Sequence, residues 1–385
     1  MLEIFYDYRD SGGGLPQDEI LFSPETLLEI RDNFTAELRS AHKAHLTAAE
    51  NRTSLPFITD RFQLPPSPLV SEGEEFEAVE IGGSKITRAR LRKTANGLAI
   101  LDKEGPLVLP SIKTLDEFHV FLDQVIYPNV GVVAINFANT MRQVFERGRL
   151  DGIITGIDDT RAVSVHDLIG KVLGVEIEDY ISSRRNSPII TSVAGDGLCM
   201  VLSAKSIDPQ KNNLGFVIVG KGYNAGLLLN STTFVNLDAA SFDKFPMSAL
   251  ASELSQQTGW PFGKEVNGSH LFKHYNRAVQ DRGITVPLIQ STEELSAVAL
   301  GNITGIPDLA KKYFARAAQL VACQMAGIAE FMGLDMIIVP DGSVFWKGVG
   351  FKETVADTTR QLTGKNVQFV EIEDRAIIGA AMLVV

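Results

Sequence analysis

Hydrophobic residues recur at helical spacing near the start of the chain and lose that spacing in the proline-rich stretch that follows. Residues 23–45 place their apolar side chains on one side of a predicted helix. Ser23 is the expected N-cap, because a serine oxygen accepts backbone N–H groups there, and Pro24 suits the first helical position. Residues 52–73 contain four prolines and little periodicity. They are therefore predicted to be an extended connection without a regular element.

From residue 76 the pattern changes to short extended runs separated by Gly82-Gly83 and Asn96-Gly97. Because Asn-Gly favours tight hairpin turns, these runs predict antiparallel strands. Helical and extended patterns then alternate to the end of the chain. Helices are predicted over 114–125, 164–173, 197–204, 247–258, 268–281, 292–300, 308–332 and 351–362, with a last apolar helix at the C-terminus, and strands over 131–137, 189–194, 214–219, 225–229, 335–340 and 367–372. Hairpins combined with an alternating segment predict an α/β fold with mixed sheets.

Length and charge narrow the class of protein. A chain of 385 residues is long enough for two domains. The formal net charge of −11 argues against a nucleic-acid partner, since phosphate contacts need a basic face. Cys199 and Cys323 lie far apart and form no disulfide framework, which favours a reducing compartment.

No segment has the pattern of a membrane span or a signal peptide. The longest apolar runs, residues 130–138 and 376–385, are far shorter than the roughly 20 residues that a spanning helix needs. Residues 1–10 are acidic and lack a basic region followed by an apolar run. We therefore expect a cytoplasmic protein without a membrane partner.

Three glycine turns are candidates for binding phosphate, because glycine lets backbone N–H groups approach an anion. The first, residues 80–85 (EIGGSK), lies between two predicted strands, and a plain β-turn is the alternative interpretation. The second is residues 220–226 (GKGYNAG), between two later strands. The third, residues 341–343 (DGS), follows the strand at 335–340 and is equally compatible with an ordinary strand exit.

The second turn superficially matches two nucleotide-binding motifs. It satisfies G-x-G-x-x-A, but the residues after it do not begin a helix, which a dinucleotide site requires to hold the pyrophosphate. Residues 215–221 also spell G-x-x-x-x-G-K, but Gly222 replaces the required Ser or Thr and the intervening residues form a strand. Both motifs are rejected. A β-hairpin whose turn presents N–H groups remains.

The order of these turns along the chain resembles the phosphate loops and adenosine segment of the actin-like sugar kinases, and within them the hexokinase family. The bacterial ROK sugar kinases share the turn I-G-G-[ST]-K-I, here residues 81–86 (IGGSKI). Residues 53–57 (TSLPF), 316–320 (RAAQL) and 379–381 (GAA) resemble further hexokinase segments in the same order.

This resemblance implies an α/β fold of two actin-like (ribonuclease H-like) domains with mixed sheets and a central cleft. The small domain would comprise residues 70–196 plus 375–385. The large domain would comprise residues 1–69 plus 197–374.

The chemistry implied by the resemblance is transfer of a phosphoryl group from ATP, with Mg²⁺, to a hydroxyl group of a sugar or polyol. Asp196 follows the strand at 189–194, as the catalytic base does in hexokinases, although it is also suited to N-cap the next helix. The residues implied to hold ATP are Glu80, Gly82, Gly83, Ser84, Lys85, Gly220, Lys221, Gly222, Asn224, Gly342 and Ser343, with Glu80 binding Mg²⁺ through water. Those implied to face the acceptor are Asn136, Thr155, Asn236, Asp238 and Glu265.

Several positions depart from the hexokinase pattern. Glu80 replaces the Asp of the first phosphate loop, and Thr87 stands where hexokinases have Arg. In the second loop Lys221 and the bulky Tyr223 replace threonines. On the sugar side Gly156 replaces a lysine, Gly195 an asparagine and Gly263 a glutamate. Lost donors and acceptors change sugar selectivity steeply, by roughly 10⁴–10⁵-fold in favourable cases.

Two further hypotheses stay open from the sequence. One is a non-catalytic sugar- or nucleotide-binding regulatory protein on the same fold, which the lost polar contacts favour. The other is an actin-like ATPase of the assembly type, against which the predicted N-terminal helix and the segment 316–320 argue. A small-molecule sugar or polyol is the expected partner, and the expected state is a monomer or homodimer.

Overall fold

A computed structural model describes residues 20–185 and 188–385 of the protein. The strands are β1 (Ile58–Arg61), β2 (Glu75–Ile81), β3 (Lys85–Thr94), β4 (Gly97–Val108), β5 (Val132–Phe137), β6 (Thr140–Glu146), β7 (Arg149–Gly156), β8 (Ile190–Gly195), β9 (Leu214–Val219), β10 (Tyr223–Asn230), β11 (Thr233–Asn236), β12 (Met336–Asp341) and β13 (Val367–Phe369). The helices are α1 (Pro24–Thr47), α2 (Leu115–Val125), α3 (Leu173–Arg185), α4 (Asp196–Ser203), α5 (Ala249–Thr258), α6 (Pro261–Val266), α7 (Leu271–Asp281), α8 (Thr292–Ala299), α9 (Pro307–Met332), α10 (Ser343–Lys347), α11 (Phe351–Leu362) and α12 (Arg375–Ala381).

Two mixed sheets repeat one arrangement. The first has the order β4-β3-β2-β5-β8, in which the first three strands are antiparallel and β5 and β8 are parallel to β2. The second contains β11-β10-β9-β12-β13 with the same directions, and β1 is added beside β11. The predicted α/β class with mixed sheets is confirmed.

A hydrophobic core that includes α4 and α12 joins the two sheets. It receives Phe76 and Ala134 from the first sheet and Phe216 and Val339 from the second. The two helices approach each other closely because Gly379 of α12 has no side chain: a Cβ there would collide with the carbonyl group of Cys199. This packing brings the inner faces of the two sheets together around α4 and α12.

The other two cores lie outside this central one. The first sheet packs its opposite face against α2 and α3. On the second sheet, α1 and the long helix α9 form most of the core, and Gly327 lets them approach, since a Cβ there would lie 2.7 Å from the ring of Phe34. Ser23 caps α1 as predicted, accepting the Thr26 N–H at 3.2 Å.

Several parts of the sequence-based prediction were wrong or incomplete, among them the helices α3 and α6, which were not predicted. The stretch 52–73 contains β1, because its residues pair with β11 although they lack periodicity of their own. Residues 164–173 form only a single 3₁₀ turn, His166–Leu168, because Gly170 has a φ of +83° and ends it. The hairpin of β6 and β7 was not predicted at all.

The structure bears on the expected state of the cysteines and on the expected lack of a membrane span. Both cysteines are free and buried, and across residues 20–185 and 188–385 no helix has the length and apolar character needed to cross a bilayer. The expectation about a signal peptide concerns residues 1–10, which lie outside the described residues.

Glu77 is a buried acid on β2 that has consequences for stability. Its Oε2 accepts the Tyr127 N–H at 2.8 Å, whereas its Oε1 has no hydrogen-bond partner. Burial raises the pKa of Glu77 to about 8, and the charges of Arg88 and Arg185 only partly oppose this. The folded protein therefore retains a proton that the unfolded chain has already lost near neutral pH.

We predict that the free energy of unfolding falls as the pH rises from about 4.5 to about 8, by roughly 1.4 kcal/mol per pH unit crossed. Glu77→Gln should abolish this part of the pH slope, because an amide does not titrate. Urea unfolding at several pH values measures the slope, with the exposed Glu72→Gln on the preceding turn as control. Identical slopes for Glu77→Gln and the wild type would contradict the prediction.

Candidate active site

The ends of three neighbouring strands bring the main candidate residues together. β2, β5 and β8 run parallel, so their carboxyl ends lie at one edge of the sheet. Glu80 lies beside Asn136, and Asn136 lies beside Ala194, two residues before Asp196. Alternation along each strand directs these side chains to the face of the central core. Where that core ends, the same face becomes the wall of a cleft.

The cleft between the two sheets has a volume of about 210 Å³. Five predicted site residues line it: Glu80, Gly82, Gly83, Asn136 and Asp196. Three charged residues that the sequence did not suggest as site residues line it as well: Arg161, Asp341 and Arg375.

Asp196 is the first residue of α4, and the N-cap position is taken by Gly195. Its Oδ1 accepts the N–H of the adjacent Gly197 at 2.8 Å. Gly197 must lack a side chain, because a Cβ there would lie 3.0–3.2 Å from the rings of Phe234 and Phe216. Asp196 is thereby held at the start of the helix with its carboxylate at the cleft.

Glu80 is a buried carboxyl group with several charged residues nearby. Burial raises the pKa of Glu80, and the negative charges of Asp196 and Asp374 act in the same direction. A hydrogen bond from Thr87 and the positive charge of Arg375 oppose the shift. The site therefore favours a cation close to Glu80.

The first glycine turn is anchored on both sides. The Gly82 N–H donates to the Lys85 carbonyl at 2.9 Å, and a Cβ on Gly82 would lie 3.0 Å from that oxygen. The Gly83 carbonyl accepts the Ala162 N–H at 2.8 Å. Ser84 and Lys85 project to the surface.

The second and third glycine turns meet each other. The Gly220 carbonyl accepts the Gly268 N–H at 2.7 Å, and a Cβ on Gly220 would lie 3.4 Å from Gly342. Gly342 has a φ of +97°, and any side chain there would collide with the carbonyl of Val219. Gly222 and Lys221 are exposed at the tip of the second turn.

A second cavity, of about 430 Å³, begins at these turns. Gly220, Lys221 and Ser343 line it together with Phe272 of α7, Gln290 of the segment before α8 and Ser296 of α8. Its wall is braced by Ser269, which donates to the Lys221 carbonyl at 2.8 Å, and by Thr292, which donates to the Gly268 carbonyl at 2.5 Å.

Two residues of the second turn point away from both cavities. Tyr223 is buried, and its hydroxyl donates to Gln324 Oε1 at 2.7 Å, so its bulk does not fill the phosphate loop. Asn224 accepts the Ala225 N–H at 2.8 Å and donates to Asn236 Oδ1 at 2.9 Å. Asn224 therefore ties β10 to the end of β11.

The residues expected to face the acceptor are divided among four places, one of which is the core position of Glu265. Asn136 is at the cleft, only 3 % exposed, and its Oδ1 has no hydrogen-bond partner. Thr155 is exposed near the end of β7. Asn236 and Asp238 lie at the end of β11, outside the walls of the 210 Å³ cavity.

Glu265 is not brought to the cleft. It lies in the core beside α9, where its carboxylate is paired with Arg316 at 3.4 Å and accepts the Ser248 N–H at 2.5 Å. Burial alone would raise the pKa of Glu265, but the charges of Arg316 and His274 hold it below its ordinary value. The carboxylate is fully occupied by internal partners.

The sequence analysis did not identify three of the charged cleft residues, because each comes from a different loop or element end: Arg161, Asp341 and Arg375. Asp341 stands in the third turn, but only its two neighbours were proposed as ligands. Arg161 donates to the Ala138 carbonyl and pairs with Asp158 at 3.4 Å. Arg375 pairs with Asp341. No spacing within the sequence indicates that these residues meet.

Comparison with known proteins agrees with this geometry. The hexokinase from Schistosoma mansoni complexed with glucose has a TM-score of 0.73 at 14% sequence identity, covering 95% of this chain and 96% of that one. Another hexokinase crystal structure has a TM-score of 0.72 at 15% identity, covering 96% and 97%. A ROK family glucokinase from Streptomyces griseus in complex with glucose and AMPPNP has a TM-score of 0.52 at 16% identity, covering 81% and 99%.

The fold is that of the hexokinases, with mixed sheets on either side of a cleft. The hexokinase family model matches residues 272–385, whereas no curated protein has significant sequence similarity to the chain. Over that segment the chain is similar to the hexokinase family, and its overall fold is the hexokinase fold.

We predict that Glu265 contributes to stability through its buried pair. Glu265→Gln should lower the free energy of unfolding by roughly 3–5 kcal/mol, because it leaves the Arg316 charge buried without a counter-charge. The exposed pair of Glu253 with Arg277, 3.5 Å apart, supplies the control: Glu253→Gln should cost less than about 1 kcal/mol. Urea unfolding measures both, and equal effects would refute the assignment.

Proposed function

We propose that the protein is an ATP-dependent kinase that phosphorylates a hydroxyl group of a hexose or a related sugar or polyol, with Asp196 as general base. The observation that carries this proposal is the meeting of Glu80, Asn136 and Asp196 in one cleft, opposite the second and third glycine turns. The hexokinase fold supports the same chemistry.

The nucleotide would lie along the two cavities. The larger one has room for a nucleoside beside Phe272 and Gln290, and backbone N–H groups at the exposed tip of the second turn, Lys221 and Gly222, can meet the phosphates. The terminal phosphate would then face the first glycine turn. Nothing in this arrangement requires a basic protein surface, in agreement with the net charge of −11.

The residues present fit a Mg²⁺ ion bound together with the nucleotide. Mg²⁺ is usually held by one or two carboxylates plus phosphate oxygens and water. Glu80 would hold it through water, and its raised pKa indicates that its charge needs a nearby cation. When bound, the ion would neutralise charge on the transferred group.

On the acceptor side, Asp196 would remove the proton of the attacking hydroxyl. Asn136 Oδ1 is a buried acceptor without a partner, and such an atom favours a ligand hydroxyl as its donor. Gln143 lies beside Gly195, where its Nε2 is 3.9 Å from the position of an added Cβ, and its Oε1 also has no partner. At the proposed acceptor site, the side-chain amides of Asn136 on β5 and Gln143 on β6 would therefore take the place of the asparagine that Gly195 replaces.

The proposed mechanism also includes a movement of the small domain against the large domain. Residues 70–196 with 375–385 would move against residues 1–69 with 197–374 when the acceptor binds. Closing the cleft would exclude water and limit hydrolysis of ATP.

A regulatory sugar- or nucleotide-binding protein is the second candidate. The Arg375–Asp341 pair favours it, because the pair crosses the cleft between the sheets and occupies groups that a catalytic centre would need. Ligand binding without turnover is what this candidate requires.

We predict that Asp196→Ala lowers acceptor-dependent ADP release by about 10²–10⁴-fold, since it removes the base while retaining the fold. The measurement uses ATP with Mg²⁺ and a panel of hexoses, amino sugars and polyols, with the exposed Asp167→Ala as control. If no acceptor raises turnover of the wild type above that of Asp196→Ala, the kinase proposal fails. Ligand-induced thermal stabilisation without turnover would instead favour the regulatory candidate.

We also predict that Ser296→Phe, which fills the larger cavity, abolishes binding of adenosine. Binding of inorganic tripolyphosphate should be retained, because the glycine turns are unchanged. Calorimetric titration measures both, with Ser231→Phe on an exposed turn as control. Unaltered adenosine affinity in Ser296→Phe would exclude this cavity as the nucleoside site.

A further inference from the structure

We propose that Arg375 is a phosphate-binding residue of the cleft, which exchanges its pairing with Asp341 for the terminal phosphate of the nucleotide. This inference rests on the proposed function and adds to it a cationic residue that lines the cleft, unlike Lys85 and Lys221 of the glycine turns. Four observations support it: the position of Arg375, its incomplete hydrogen bonding, the charge balance of the cleft, and the place of its present partner.

Arg375 is held in a fixed position at the cleft. It is the first residue of α12 and follows Asp374, whose φ of 50° turns the chain sharply into the helix. The close contact of Gly379 with Cys199 fixes α12 against α4, the helix that begins at Asp196. Arg375 therefore lines the cleft at a defined position relative to the proposed base.

The hydrogen bonds of Arg375 are incomplete. Its Nη2 donates to Asp341 Oδ1, but its Nε is buried and has no hydrogen-bond partner. Arg316, by contrast, has a buried ion pair and donates both to Glu265 and to the carbonyls of Ile20 and Pro246. A guanidinium group has five N–H donors in a planar fork, and phosphate oxygens match that geometry.

The charge balance of the cleft requires a cation here. The cleft contains three carboxylates, those of Glu80, Asp196 and Asp341. A bound nucleoside triphosphate would add further negative charge. Arg161 is already engaged with the Ala138 carbonyl and Asp158. Thr87, which hydrogen-bonds to Glu80, carries no charge. Arg375 is the cleft cation whose charge already acts on Glu80 beside the first glycine turn.

The present partner of Arg375 comes from the opposite side of the cleft. Asp341 ends β12 of the second sheet, directly before the turn at Gly342 and Ser343. A phosphate placed between the first and third turns would meet both groups. It would attract Arg375 and repel Asp341, so binding should exchange one anion for the other on the same guanidinium.

Opposite effects of two substitutions test this exchange. Arg375→Ala should weaken binding of inorganic tripolyphosphate and of Mg²⁺-free ATP about 10–100-fold, whereas Asp341→Asn should tighten it several-fold by releasing the guanidinium. Arg375→Lys should lie between the wild type and Arg375→Ala, because it keeps the charge but loses the fork. Calorimetric titration of the full chain in the absence of Mg²⁺ gives the affinities.

The control is Lys103→Ala, which removes the ion pair of Lys103 with Asp374, 2.8 Å long, next to Arg375. It should leave tripolyphosphate affinity unchanged. Thermal unfolding of every variant checks that the fold is retained. If Asp341→Asn unfolds, Asp341→Ser provides the same release of Arg375.

If Arg375→Ala and Asp341→Asn change the affinity for tripolyphosphate in the same direction, the inference is overturned. A pair with only a structural role predicts that result, because either substitution would disorder the cleft in the same way. Unchanged affinity in Arg375→Ala would overturn it as well. Turnover of the wild-type protein with the acceptor panel shows whether the Arg375 role or the proposed kinase function has failed. An active wild type whose Arg375→Ala variant keeps its affinity contradicts the phosphate-binding role alone. An inactive wild type with the opposite-sign pattern leaves Arg375 as an anion site and removes the kinase proposal.

Discussion

The packing of α4 against α12 between the two sheets is the constraint on which the cleft depends. Gly379 allows the contact, because only a residue without a side chain can lie against the Cys199 carbonyl. The two helices start at Asp196 and Arg375, so one contact in the core positions both a carboxylate and a guanidinium at the cleft. Substitutions in this core are therefore expected to disturb chemistry as well as stability.

Buried charge is the second organising feature. The chain keeps two kinds of buried carboxyl group. Glu265 is compensated completely by Arg316 and the Ser248 N–H. Glu80 is compensated only in part, by Thr87 and Arg375, and burial leaves its pKa raised. Incomplete compensation is costly for stability, and it marks Glu80 as a group that a cation or ligand would complete.

Divergence from the hexokinase pattern is concentrated where ligands would contact the protein. Tyr223, which replaces a threonine, has been absorbed into the core through Gln324. Gly195, which replaces an asparagine, lies next to Met141 and Gln143 of the hairpin. These changes preserve the backbone of the fold while altering the chemical groups around the cleft. A fold likeness at 14% identity establishes the architecture, while these altered groups are the ones that a ligand in the cleft would meet.

The sequence determined the elements whose signals are local: the Ser23 cap of α1, the hairpin at Asn96-Gly97, and the alternation that directs Glu80 and Asn136 to one face. The family resemblance, not the pattern, implied that Glu80, Asn136 and Asp196 share one site. Tertiary structure alone decided the rest. β1 exists because β11 offers it a partner, Glu265 was taken up by Arg316, and Arg375 meets Asp341 across 34 positions of sequence. Periodicity reports which face of an element is buried, whereas the partner of a charged side chain depends on how distant elements pack.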